Sequence, residues 1–122
     1  MRALLETARG ELLVADPFFG QVEADWTLVA GLAVQVRILT SKVAQVPAPI
    51  PAGVQARMRS RANRVLHDRV YAWVEGGFML GGSPSTLAPI GVMWLTPSEA
   101  ELRRTMFEAL WHSPLFQDLE RL

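Results

Sequence analysis

The sequence predicts an α/β fold in which a mixed, largely parallel sheet is flanked by helices. A strand, a helix and a second strand follow one another within the first 40 residues, which is the order of a parallel βαβ unit. Two short apolar runs then flank a Gly-Gly pair, and a capped helix follows near the end. The length of 122 residues suits a single domain over residues 1–122.

The first third of the chain contains the βαβ unit. The spacing of apolar residues predicts a helix, a strand, a helix and a strand over residues 1–9, 11–15, 22–32 and 34–40. Sites in open α/β sheets gather beyond the carboxyl ends of the strands. Residues 16–20 and 40–42 have that position, although a plain polar loop also accounts for residues 40–42.

The rest of the chain contains shorter elements. A proline-rich segment, residues 43–53, predicts a loop. Alternation over residues 54–60 predicts a strand that presents Arg57 and Arg59 on one face, with a helix as the alternative. A polar turn at 61–64 leads to a hairpin whose strands, 69–74 and 78–80, flank a turn at Glu75-Gly76-Gly77. A short strand at 91–95 precedes a helix that begins at the capping box Thr96-Pro97-Ser98-Glu99 and ends near His112.

Positive charge is concentrated in one region of a chain whose net charge is zero. Five arginines and one acid lie within residues 54–70. This basic patch, which includes Arg57, Arg59, Arg61 and Arg64, favours an anionic partner such as nucleic acid. A solvated arginine-rich face is the alternative interpretation.

Composition excludes several classes of protein. The chain has no cysteine, which excludes disulfides and thiolate metal sites and fits a cytoplasmic protein. No apolar run reaches the roughly 20 residues of a membrane-spanning helix. Residues 1–10 lack the apolar stretch of an export signal.

Two histidines are candidates for chemistry. His112 lies at a helix end, where the helix dipole mildly favours a cation, and no chemical role is expected for it. His67 starts a predicted strand, and Arg69 follows two residues later, so both side chains should share one face. A histidine beside a guanidinium can attack or protonate a phosphate group while the arginine holds its oxygens. A surface histidine on a strand is the alternative.

The region around His67 resembles the phospholipase D superfamily. His67-Asp68-Arg69, an apolar strand, Glu75-Gly76, a second strand and the loop at residues 81–85 follow the order of that superfamily's His-x-Lys signature, aspartate position and Gly-Ser-x-Asn-like loop. Residues 13–20 and 36–41 are similar to its first two core strands, and residues 107–111 to its closing helix. The resemblance therefore implies a phospholipase D-like fold.

The resemblance also implies roles for individual residues. In that superfamily the histidine is the nucleophile that forms a phosphohistidine, or the general acid in the second copy of the motif. Chains with one copy assemble their site as homodimers. His67 would thus be the catalytic residue, and Arg69, Ser83 and Ser85 would bind the phosphate.

Three positions depart from the superfamily pattern. Arg69 replaces the lysine, Ser85 replaces the asparagine, and Val74 occupies the aspartate position with Glu75 one residue later as acidic support. Arginine and lysine are not equivalent at a phosphate site, and loss of an orienting carboxylate can lower a rate by orders of magnitude. We therefore expect a homodimer that binds phosphodiesters, most simply nucleic acid, with doubtful phosphodiesterase or nuclease activity. Any activity would need no metal or other cofactor.

The sequence is also compatible with other functions. The leading alternative is a non-catalytic protein-interaction module with the same fold, which contacts a partner through the hairpin or the apolar segment near Trp94. Phosphatidyl transfer on lipids is a less favoured alternative, because no segment has the pattern of a membrane-binding helix. A serine hydrolase at Ser83 is disfavoured, because no second histidine has a triad context.

Overall fold

The computed structural model describes residues 1–41, 49–59, 66, 68–81 and 91–119. The helices are α1 (Arg2–Leu5), α2 (Glu23–Val29) and α3 (Pro97–Trp111). The strands are β1 (Glu11–Ala15), β2 (Gln35–Thr40), β3 (Val54–Arg59), β4 (Arg69–Trp73), β5 (Gly76–Leu80), β6 (Val92–Trp94) and β7 (Phe116–Asp118). None of the helices in these ranges is long and apolar enough to cross a bilayer.

The strands form one seven-stranded sheet in the order β6-β5-β4-β1-β2-β3-β7. The central strands β1, β2 and β3 are parallel, which confirms the predicted βαβ unit. The four remaining pairings are antiparallel. The prediction of a largely parallel sheet is therefore wrong, because β4, β5 and β6 on one side of the parallel core and β7 on the other all add in antiparallel register.

The two faces of the sheet carry different cores. Helices α1 and α2 pack on the face that carries Leu12 and Val14 of β1, where Trp26 of α2 is buried. Helix α3 packs on the opposite face, where Phe107 contacts a cluster that includes Leu13. Successive strand residues point to opposite faces, so the register assigns the side chains of Arg69 and Tyr71 to the α1/α2 face and those of Val70 and Ala72 to the α3 face.

The hairpin turn lies one position earlier than predicted. Trp73 pairs with Gly76, so Val74 and Glu75 form the turn, and Glu75 has a positive φ of 63°. Both glycines belong to β5 instead. A Cβ on Gly76 would lie 2.6 Å from Nε1 of Trp73, and one on Gly77 would lie 2.5 Å from the carbonyl oxygen of Tyr71. The glycines are therefore required for close approach to β4.

The C-terminal region contains one confirmed element and one that the sequence did not predict. The hydroxyl of Thr96 accepts a hydrogen bond from the Glu99 backbone N–H, the Glu99 carboxylate accepts one from the Thr96 N–H, and α3 begins there as expected. Strand β7 then pairs with β3 in antiparallel register. Strand β7 covers the edge of β3 and thereby becomes the edge strand on that side of the sheet.

Candidate functional site

A buried aspartate follows β1 at its carboxyl end. Asp16 is only 1% exposed. Its Oδ1 accepts a hydrogen bond from the Phe18 backbone N–H at 2.9 Å. Its Oδ2 accepts from the Tyr71 hydroxyl at 2.7 Å and from Nε of Arg69 at 3.1 Å. We call Asp16, Arg69 and Tyr71 the Arg69 cluster.

The pairing of β1 with β4 brings this cluster together. Ala15 pairs with Val70 in antiparallel register, so Arg69 lies beside Asp16 at the carboxyl end of β1. The Arg69 guanidinium lies 5.9 Å from the centre of the Phe18 ring, within cation–π range. Its Nη1 is buried and has no hydrogen-bond partner among the described residues. The site thus holds a cation with an unused donor.

Tyr71 is a neutral donor in this cluster. Burial raises the pKa of its hydroxyl well above the usual value of 10, and the negative charge of Asp16 raises it further. The hydroxyl therefore stays protonated and donates a hydrogen bond to the Asp16 carboxylate. The tyrosine and Arg69 together hold the carboxylate in one orientation.

The carboxyl end of β2 lies at the same edge of the sheet. Ala15 pairs with Leu39 in parallel register, which brings Thr40 and Ser41 to the level of Asp16. The Thr40 hydroxyl donates to the Phe19 carbonyl oxygen at 2.7 Å. The Ser41 hydroxyl oxygen is buried without a partner in the described part of the chain. This edge therefore combines an unused hydroxyl with the unused donor of Arg69.

The described arginines of the predicted basic patch lie on β3. Arg57 and Arg59 share one face of that strand, as predicted, and both are partly buried. The guanidinium of Arg57 donates to the carbonyl oxygens of Trp111 and Phe116 and lies 3.3 Å from the carboxylate of Asp118. Arg57 therefore holds the C-terminal region on the sheet.

A second arginine contacts the same tryptophan. Arg37 forms ion pairs with Glu11 and Glu108. The guanidinium carbons of Arg37 and Arg57 lie 5.2 and 5.7 Å from the centre of the Trp111 ring. We call Arg37, Arg57 and Trp111 the Trp111 cluster.

The structure separates Glu75 from Arg69. Glu75 lies in the turn beyond Trp73, at the end of β4 opposite to Arg69. Six residues of nearly extended chain span roughly 20 Å. Asp16 supplies a carboxylate at the sheet edge where β1 and β2 end and β4 begins, which we call the Arg69 edge. Support of His67 by Glu75 stays a prediction.

The other predicted site residues lie outside the described residues. They are His67, Ser83 and Ser85 of the proposed phosphate site and Arg61 and Arg64 of the basic patch. The parts of the chain that are described contain no group of three or more histidine, aspartate or glutamate side chains that could hold a metal ion.

Sequence reasoning missed the partners of Arg69. Asp16 and Ser41 belong to segments that were placed at the carboxyl edge of the sheet, but no role was assigned to either residue. Tyr71 was assigned only to a hairpin strand. The useful signal was the Asp-Pro pair directly after a buried strand, because a carboxylate at such an edge needs nearby donors.

Comparisons with known proteins show a shared fold. No protein-family model matches the chain, and no curated protein matches it. Among solved structures, TrmBL2, an archaeal chromatin protein, superposes with a TM-score of 0.67 and 17% identity over 97% of this chain. Polyphosphate kinase from Porphyromonas gingivalis superposes with a TM-score of 0.55 and 14% identity over 88% of this chain.

The likeness covers only parts of those two proteins. The chain spans 48% of TrmBL2 and 19% of the polyphosphate kinase. Both matches support the α/β fold of the chain, and the resemblance to the phospholipase D superfamily stays a prediction. At these identities the likeness concerns the fold alone.

Proposed function

We propose that this domain binds a phosphodiester group of nucleic acid at the Arg69 edge and does not cleave it efficiently. The observation that carries the proposal is the buried Nη1 of Arg69, which has no partner among the described residues. A buried donor without an acceptor costs free energy. A phosphate oxygen would supply the missing acceptor.

The geometry of the Arg69 cluster suits this role. Asp16 holds Nε of Arg69 at 3.1 Å, which fixes the guanidinium plane and orients its terminal nitrogens. A fixed fork of donors matches the oxygens of a phosphate group. Binding would require the Phe18 ring, which is 37% exposed, to move from above the guanidinium.

Further positive charge would come from the basic patch. Asp16 offsets part of the charge of Arg69, and Arg57 is engaged with the C-terminal region. The remaining attraction is assigned, by prediction, to Arg61 and Arg64, because Arg59 lies on the α3 face of β3 and Arg69 on the other face of the sheet. Contacts of this kind are independent of sequence and depend strongly on salt.

The structural neighbours support the proposal by analogy. TrmBL2 is described as showing a novel mode of DNA binding. Its similarity to this chain extends over nearly all of the chain but lies at the level of fold. It makes nucleic acid the first ligand to test.

Binding without efficient cleavage is the more economical form of the proposal. The resemblance assigns His67 as nucleophile or general acid, yet lysine, aspartate and asparagine are each replaced in the motif. Glu75, the nearest acidic substitute in sequence, lies at the other end of β4 from Arg69. A histidine without an orienting carboxylate loses most of its catalytic advantage.

A binding experiment tests the proposal directly. Fluorescence anisotropy would measure the affinity for a labelled DNA duplex between about 50 and about 200 mM salt. Arg69→Gln should weaken binding about tenfold or more and lower the salt slope by about one. The matched control is Arg9→Gln, which removes the same charge from an exposed position. Equal losses in the two variants would show that Arg69 makes no specific contact.

A cleavage experiment tests the second half of the proposal. The wild type and His67→Ala would be incubated with DNA in the presence of a chelator. We expect no cleavage by either protein. Cleavage by the wild type that His67→Ala abolishes would show that the domain is a phosphodiesterase.

The second candidate function is protein interaction through β6. Val92, Met93 and Trp94 are all exposed, with Trp94 at 59%, and β6 is an edge strand of the sheet. We favour a second copy of the chain as the partner. Antiparallel pairing of two β6 strands about Met93 would place Val92 opposite Trp94, a favourable cross-strand pair.

Light scattering of the purified protein tests this second candidate. Met93→Lys should convert a dimer into a monomer, because a charge on an edge strand blocks pairing. Val22→Ser, which removes an exposed apolar side chain elsewhere, should leave the dimer intact. A wild type that is monomeric at all concentrations would exclude this interface. The homodimer about His67 implied by the superfamily lies outside the described residues and stays a prediction.

A further inference from the structure

A cavity of about 150 Å³ lies between α3 and the sheet. Its floor consists of Leu13 and Ala15 of β1 and Val70 and Ala72 of β4. Phe107 and Leu110 of α3 line the opposite side. The cavity therefore lies on the α3 face of β4, whereas the Arg69 cluster lies on the other face.

Small side chains on the sheet create this space. Leu13 pairs with Ala72, and Ala15 pairs with Val70, so each strand contributes one alanine to the floor. Phe107 is buried against Leu13 and fixes the height of α3 above the sheet. The cavity is open to solvent on one side, its aliphatic and aromatic walls offer water few hydrogen bonds, and its volume is about that of apolar cavities that bind benzene.

A weakly paired arginine lies at the rim. Nη1 of Arg103 is 3.3 Å from a carboxylate oxygen of Asp68, and Nη2 is 3.6 Å from the sulfur of Met79. The Asp68 side chain is 50% exposed, so the ion pair is weak. A thioether is also a weak acceptor. Arg103 can therefore exchange these partners for a better one.

We propose that this cavity binds a small apolar monocarboxylate of about the size of benzoate. The ring or short aliphatic chain fills the space above Ala15 and Ala72. The carboxylate replaces that of Asp68 and accepts two hydrogen bonds from the Arg103 fork. The volume of the cavity limits the size of the apolar part of the ligand, and the positive charge of Arg103 favours a ligand with one negative charge.

The ligand site is independent of the proposed nucleic-acid site. Adjacent residues of β4 point to opposite faces of the sheet, and Val70 and Ala72 line the cavity while Arg69 and Tyr71 do not. Failure of one proposal therefore leaves the other standing.

Titration of the ¹⁵N-labelled protein tests this proposal, with benzoate and toluene as the two probes. We expect both to shift the amide resonances of Ala72 and Phe107. Arg103→Gln should weaken benzoate binding about tenfold, the value of a charge-assisted pair, and leave toluene binding unchanged. Arg104→Gln, on the next position of α3 and not part of the cavity lining, should change neither affinity.

Cavity-filling variants provide the second readout. Ala72→Leu should abolish binding of both probes. Ala15→Val is a milder substitution that should weaken both even if Ala72→Leu does not fold. The proposal is overturned if benzoate shifts no cavity resonance in the wild type. It is equally overturned if Arg103→Gln and Arg104→Gln reduce benzoate binding by the same factor.

Discussion

The Trp111 cluster and the Arg69 cluster both place arginines against the sheet, but they differ in how those arginines are satisfied. Both terminal nitrogens of Arg37 contact carboxylates, and both terminal nitrogens of Arg57 donate to backbone carbonyl oxygens. Nε of Arg57 is also buried without a hydrogen bond among the described residues, but it lies 3.3 Å from the Asp118 carboxylate in an ion pair. Arg69 donates from Nε to Asp16, while its Nη1 has no partner in the described part of the chain.

This difference separates an arginine that holds the fold together from one that can bind a ligand. Arg37 and Arg57 connect β2 and β3 to α3 and the C-terminal region, with Trp111 between their guanidinium groups. Hydrogen bonds to Glu11 and Glu108 raise the pKa of Arg37, so its charge is fixed. In the Arg69 cluster, the guanidinium of Arg69 is oriented by Asp16, and its Nη1 has no hydrogen-bond partner in the described part of the chain.

The largest expected effects on stability come from Arg57 and Arg69. Arg57→Gln removes two hydrogen bonds to carbonyl oxygens and the ion pair with Asp118. We expect the free energy of unfolding to fall by about 2–3 kcal/mol, measured by urea denaturation. Arg69→Gln leaves Asp16, which is 1% exposed, without its countercharge, so we expect a loss of about 3 kcal/mol even though Tyr71 and the Phe18 N–H still hold the carboxylate. No measurable loss for Arg57→Gln would show that Arg57 does not hold the C-terminal region on the sheet.

The next effect concerns Tyr71. Tyr71→Phe removes the hydroxyl that donates to the buried Asp16, and we expect a loss of about 2 kcal/mol at neutral pH. The pKa of Tyr71 is raised in the folded protein, so its stabilising effect is present below pH 10 and is lost as the pH rises above 10. Urea denaturation between neutral and alkaline pH should show this decline in the wild type. An identical decline in Tyr71→Phe would contradict the assignment.

The smallest effect concerns Glu108. Its hydrogen bond from Arg37 lowers the pKa of Glu108 below the usual 4.5. The stabilising effect is therefore present above pH 4.5 and is lost as the pH falls through the lower value in the folded state. Because the side chain is 44% exposed, Glu108→Gln should cost no more than about 1 kcal/mol at neutral pH.

The control for Glu108 lies on the same helix. Glu101→Gln changes an exposed carboxylate for which no bond to Arg37 exists. Urea denaturation at several acidic pH values should show a reduced pH dependence for Glu108→Gln and the wild-type dependence for Glu101→Gln. The same dependence in all three proteins would show that the pair of Arg37 and Glu108 does not contribute to stability.

Local elements were predictable where the sequence pattern is strong. The βαβ unit, the capping box at Thr96 and the alternating strand over β3 were each confirmed. Each depends on the periodicity or capping chemistry of neighbouring residues. Strand β7 has only three residues, too few to show a period, and it exists because β3 offers it an edge.

The sheet direction and the partners of the arginines were not predictable in the same way. Two glycines in sequence indicated a turn, but close packing against Trp73 and Tyr71 keeps them in β5. The sequence grouped Arg57 with a binding patch, since charge clustering does not reveal which carbonyl oxygens lie nearby. Asp16 and Arg69 are separated by 53 positions, so their contact depends on the pairing of β1 with β4.

The most direct test of the two arginine clusters is a side-chain NMR titration. The Nε–Hε resonances of Arg37, Arg57 and Arg69 would be followed as a short single-stranded oligonucleotide is added, with assignments from the Arg→Gln variants. We expect the resonance of Arg69 to shift in a saturable manner while those of Arg37 and Arg57 do not shift. A shift for Arg57 without one for Arg69, or no shift for any of the three, would contradict the proposed division between a binding arginine and structural ones.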